Sequence, residues 1–215
     1  MSSKTRQEFR DSFSGPNNNY AELLQLFAEL FKFPERNFYE SIKSGGFDKE
    51  VKRLSHLAGK PLNTDFHAIA KGFNNFLEDY NNCFLGKKQP FAPPVESVYK
   101  VWTRDQSYRL PHKNQTGYLM GDSALHIKYL LETLALEIPK EYEGMPDHLT
   151  ILLEIYAFLN QEGMGQEADD FLGDHFDWLP ALSEALAKVE NSDFYLYAVL
   201  QLQQLLGISP PININ

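Results

Sequence analysis

Apolar residues recur at steps of three and four along almost the whole chain and nowhere alternate with polar ones, which commits the backbone to helices. The first such face, Leu23, Leu24, Phe27, Leu30 and Phe31, must stop before Pro34. Short helices carrying Phe38 and Ile42, then Val51, Leu54 and Leu57, end at Gly45-Gly46 and Gly59. Thr64 or Asp65 is placed to cap a long, aromatic helix with Phe66, Ile69, Phe73, Phe76, Leu77, Tyr80 and Phe84 on one face, closed by Gly86. A proline-rich loop follows, then a short helical pattern over 95–102 and a polar, irregular stretch over 103–120. Asp122 or Ser123 can cap the next helix, for which the spacing predicts Leu125, Tyr129, Leu130 and Leu134 inward.

Residues 140–146 combine charge, glycine and proline between two strong helical patterns and read as a hinge loop. Beyond it Asp147 stands where an N-cap belongs, ahead of Leu149, Leu152, Leu153, Tyr156 and Leu159; three shorter helices complete the chain. The expectation is an all-α, multi-helix bundle of about ten helices, with an N-terminal subdomain over 1–139 and a C-terminal one over 147–215. Such a linker also permits exchange of the C-terminal part between chains, so both a monomer and a domain-swapped dimer are open.

A formal charge of -9 disfavours a nucleic-acid partner, which is gripped by clustered cations, and favours a cationic one. Cys83 stands alone, so neither an internal disulfide nor a cysteine-based metal site can form. No apolar run reaches the roughly 20 residues of a membrane span and the polar start carries no export signal, so a cytoplasmic protein without membrane insertion is expected. No phosphate loop, nucleophile elbow or zinc-binding helix motif is present. Asp147-His148 with Glu154, or Asp174-His175 with Asp177, could be drawn as the metal site of a hydrolase, but the spacing is that of chance pairs. No catalytic residue, metal or cofactor is predicted.

Several segments carry a resemblance. Tyr80-Asn-Asn-Cys-Phe-Leu-Gly86 is followed by Pro93-Pro94-Val-Glu96-Ser97-Val98-Tyr99, and Gly121-Asp122-Ser123 heads a helix. Met145-Pro146-Asp147-His148-Leu149 precedes Glu154, and Phe171-Leu172-Gly-Asp-His175 runs on to Trp178-Leu179-Pro180. In this order they resemble the TorD/DmsD/NarJ family of redox-enzyme maturation chaperones. The chain departs from the family pattern at Gly144, where an acid usually stands, and lacks a tryptophan often found where Tyr80, Val95 or Tyr99 stands. The resemblance implies a cytoplasmic chaperone, not an enzyme, whose partners are the signal peptide and apo form of a molybdoenzyme catalytic subunit. It would hold the client's twin-arginine signal, delay export and assist cofactor insertion. An assembly factor for the N-terminus of a non-exported nitrate-reductase-type subunit is the alternative.

Two guanidinium groups followed by an apolar segment need an aromatic-lined groove with carboxylates beside it. The resemblance puts Tyr80, Phe84, Glu96, Tyr99, Trp102, Pro146, Asp147, His148 and Glu154 in that groove. All but Pro146 also have a plainer reading: core packing for the four aromatics, an N-cap for Asp147, a satisfied structural histidine for His148, and a solvated helix face for Glu96 and Glu154. His148, at the positive end of a helix, is expected to be neutral. His175 and Trp178, far from the hinge in sequence, are expected to pack the C-terminal part.

Overall fold

Helix α1 (Pro16–Leu30) seals Leu23, Leu24 and Phe27 from solvent, as its spacing demands. In the computed structural model, which describes residues 16–109, 111 and 113–209, its main partner is α8 (Leu149–Gln161) from beyond the hinge. Helix α8 buries Leu149, Ile151, Leu152, Leu153, Ile155, Tyr156 and Leu159, and a helix apolar on nearly every side has to lie in the middle. Between them run α2 (Arg36–Lys43), α3 (Gly46–Leu57), α4 (Phe66–Ile69), α5 (Phe73–Phe84), α6 (Glu96–Tyr99) and α7 (Asp122–Thr133). After α8 come α9 (Gly165–His175), α10 (Leu179–Leu186) and α11 (Asp193–Leu206), giving eleven α-helices and no strand among the described residues.

One apolar cluster takes in side chains from both sides of residues 140–146, among them Phe27, Phe84, Tyr142, Leu152 and Leu202. Helix α11 ties the ends together, touching α1, α4, α5 and α10. Its Tyr195 is fully buried, with ring centroids 4.6 Å from Phe84 and 5.8 Å from Phe76. The aromatic face of α5 is therefore largely core.

Three expectations fail. The long helix over 66–84 is broken: Ala70 and Gly72 are extended, and α4 is a single turn. Lys43 Nζ donates to the Ala70 carbonyl at 2.7 Å, supplying a partner that a continuous helix would have made unnecessary. The break lets Phe66 reach Phe47 and Tyr197, at 5.1 and 4.9 Å, while Phe73 turns to Tyr39 at 5.6 Å. Neither Thr64 nor Asp65 caps α4; Asp48 does so from α3, accepting from Phe66 N–H at 2.9 Å and His67 N–H at 3.0 Å. In α7 the inward residues are Ala124, Ile127 and Leu131, while Leu125 and Tyr129 are 57% and 63% exposed. This short helix leans on α6 with its small-residue side: Gly121 lies so close to the Trp102 carbonyl that a Cβ would sit 2.6 Å from it.

Candidate functional site

The proline-rich loop and the hinge meet backbone to backbone. Leu149 N–H donates to the Pro94 carbonyl at 2.8 Å and Glu96 N–H to the Asp147 carbonyl at 3.1 Å, around an antiparallel bridge of Val95 with His148. Asp147, fully buried, turns its carboxylate across this joint and accepts from Ser97 N–H at 2.6 Å. It thus serves the start of α6 instead of capping α8. The N-cap of α8 is His148, extended at φ -66° and ψ 140°, whose Nδ1 accepts from Thr150 N–H at 3.2 Å. A segment buried this deeply must pair its amides, and the adjacent pair Asp147 and His148 does so for two different helices.

Burial pushes the Asp147 carboxyl above its ordinary range, with Ser97 pulling the other way. Its second oxygen, Oδ1, has no well-directed donor. Burial also lowers His148 to about 3, so the imidazole is neutral and, with Nδ1 accepting, carries its proton on Nε2. Neutrality was expected from the helix dipole; loss of water is the larger cause.

On one side of the joint lies an aromatic and acidic face. The Tyr142 ring is 4.8 Å from His148. Tyr80 carries Phe84 at 5.1 Å on its inner side and, at 5.5 Å, the edge of Phe33, which is 58% exposed. Lys32 is clasped by Glu29 at 2.7 Å and Glu154 at 2.8 Å, and its charge reaches the Tyr142 hydroxyl. Tyr80, Phe84, Pro146, His148 and Glu154 therefore share a neighbourhood, with Tyr80, Phe84, Pro146 and His148 buried and Glu154 half-exposed. Sequence reading missed Phe33 and Tyr142; the signal for Phe33 was its place just past the end of α1 and against Pro34, outside the helical face.

On the other side lies a polar network. Glu96 is fully buried, not solvated, and its Oε2 accepts from His175 Nδ1–H at 2.7 Å. His175 Nε2 in turn shares a hydrogen bond of 2.9 Å with His126 Nδ1. Lys100 Nζ lies 2.8 Å from Glu96 Oε1 and 2.6 Å from Asp177. Tyr99 stacks on Trp178 at 5.2 Å, and Trp178 Nε1–H donates to the His175 carbonyl at 2.8 Å. His175 and Trp178 thus lock α9 onto the segment that pairs with the hinge, a role that their distance along the chain concealed. Trp102 stands apart, donating to the Leu119 carbonyl at 3.1 Å beside Tyr108.

The two constellations that could have been drawn as a metal site do not converge: Glu154 is engaged by Lys32, Asp177 by Lys100, His148 by Thr150 and His175 by Glu96. Among the described residues the His and carboxylate groups that do converge are Asp48, Asp65 and His67, where Asp48 is already occupied in capping α4. No helix of the described residues is long and apolar enough to cross a membrane.

Known proteins resemble this chain in fold or in sequence. A redox enzyme maturation protein from Archaeoglobus fulgidus superposes with a TM-score of 0.54 over 86% of this chain and 93% of its own, at 19% identity. A Tat proofreading chaperone, DmsD, of Haemophilus influenzae is 28% identical over 150 residues, 68% of this chain and 67% of that protein. The chaperone protein TorD of Shewanella piezotolerans is 26% identical over 142 residues, 66% of this chain and 60% of its own length. The model of the nitrate reductase delta subunit family matches residues 48–192, which include α5, the proline-rich loop, the hinge and the whole polar network; the chain belongs to that family.

Proposed function

We propose that this protein is a cytoplasmic chaperone that binds the twin-arginine signal peptide of a molybdenum-cofactor redox enzyme subunit, delays its export and keeps the apo subunit open for cofactor insertion. It performs no chemistry of its own. The observation that carries this reading is the face beside the joint, where the exposed Phe33 ring lies on Tyr80 beside the acidic pair Glu29 and Glu154. An exposed aromatic edge next to carboxylates suits a segment that is cationic at one end and apolar at the other. Asp147 and His148 act from beneath, holding the hinge against the loop at 94–97 so that the face keeps its shape, and residues 140–146 are where the two subdomains would part to admit more of the client. The working unit is a monomer, with a domain-swapped dimer as the form that an opened hinge would allow.

Calorimetric titration with a synthetic twin-arginine leader tests this. Saturable binding is expected, with loss of affinity when both arginines are replaced; a leader that produces no saturable heat overturns it. The family's description favours one second reading, an assembly factor for a nitrate-reductase-type subunit that is not exported. That factor would keep its affinity for an N-terminal peptide without the arginine pair.

A further inference from the structure

The strongest feature of the polar network is that a fully buried carboxylate, Glu96, has its two oxygens taken by different kinds of partner. Oε2 has His175, whereas Oε1 takes no well-directed hydrogen bond and meets only the Lys100 ammonium, at 2.8 Å. The same ammonium reaches Asp177 Oδ1 at 2.6 Å and donates to the carbonyl of Asp174. Three oxygens, from α6, the last turn of α9 and the turn after it, thus form a cup around one cation, supplied by a side chain that stands at the rim, 20% exposed. The cup opens into a cavity of about 250 Å³ that Asp122, Ser123, His126 and Arg104 also line, with four carboxylates against two permanent cations.

We propose that this cup is a guanidinium seat, closed in the free protein by its own Lys100, and that it receives an arginine side chain of the client's leader. The proposal rests on the signal-binding function above. A flat guanidinium offers five N–H donors in a fixed fork and is less strongly hydrated than an ammonium, so it can bridge Glu96 Oε1 and Asp177 with parallel bonds where Lys100 makes single-point contacts. Lys100 lies just past α6 in extended backbone and can swing into water without moving a helix. Glu96 follows the bridge residue Val95, and its charge is felt by Asp147, so the seat and the aromatic face flank the same joint.

Lys100→Ala and the milder Lys100→Gln, in the full chain, test the seat without a client. Both are expected to melt below wild type, and methylguanidinium is expected to raise their melting temperatures while equal concentrations of methylammonium or sodium chloride do not. Wild type, its seat filled, should respond to none of the three. A response that is the same in variants and wild type, or the same for methylammonium, overturns the proposal. With a twin-arginine leader, Lys100→Gln should bind about tenfold more tightly than wild type, an internal competitor having been removed. If wild type binds the leader and Lys100→Gln binds it no better, the seat is refuted and the signal-binding function stands. If methylguanidinium restores the variants but no leader binds to any form, the cup takes guanidinium and the signal-binding function falls.

Discussion

Acid should unfold this protein in part through one imidazole. His148 is buried at the hinge, and its folded-state value of about 3 lies far below the ordinary 6.5. Between those values the unfolded chain takes up a proton that the folded one refuses, so stability is lost as pH falls. For a group moved from 6.5 to about 3, the loss between pH 7 and pH 5 is about 2 kcal/mol, rising to about 4 kcal/mol at pH 3. His148→Asn is the informative variant, because an asparagine side chain can still accept from Thr150 N–H at the N-cap and does not titrate. Losing the ring against Tyr142 lowers stability by about 1 kcal/mol, a constant offset with pH. Asp147, raised by burial, acts in the opposite sense, gaining stability as pH falls, and is present in both proteins. Urea unfolding at pH 7 and pH 5, followed by tryptophan fluorescence, gives the difference of differences: wild type should lose about 2 kcal/mol more than the variant. Equal losses in the two proteins would refute the assignment of acid sensitivity to this residue.

Other perturbations separate structure from binding. Phe33→Ala removes an exposed ring and should change stability by less than about 1 kcal/mol, yet weaken a twin-arginine leader at least tenfold by calorimetry. Glu96→Ala leaves Lys100 and His175 without their buried partner and should cost about 3–5 kcal/mol in denaturant unfolding, a size that no solvated glutamate reaches. Asp147→Asn keeps an oxygen for Ser97 N–H while removing a buried charge, so unfolding at pH 7 should shift by less than about 1 kcal/mol, whereas Asp147→Ala should lose about 1–3 kcal/mol.

Helix positions were legible because the period of the apolar residues and their glycine and proline stops are local properties: α1 and α8 lie where Leu23 to Phe31 and Leu149 to Leu159 put them. What failed was set by tertiary partners. Nothing near Ala70 announces that Lys43 will take its carbonyl and end a helix whose apolar pattern continues. Leu125 and Tyr129 keep helical spacing but face away from the core, because Gly121, hard against Trp102, sets the side on which α7 docks. Asp147 has an N-cap's place in sequence, and only the approach of the loop carrying Ser97 turns it elsewhere. In the candidate site, motif resemblance found Glu96 and Asp147 but not their partners, since His126 and His175 are joined to Glu96 across 30 to 79 residues of chain.

The pairing of α1 with α8 has a consequence for how the protein is made. Thr150 Oγ1–H reaches the Ala28 carbonyl from 122 residues away, and around that contact an amphipathic helix and a strongly apolar one close on each other. On a ribosome adding about 5–20 residues per second, the greasy side of the first helix waits about 6–24 s for its cover. During that interval α1 is a nascent amphipathic segment in need of shelter, and a product truncated before residue 149 keeps that need permanently.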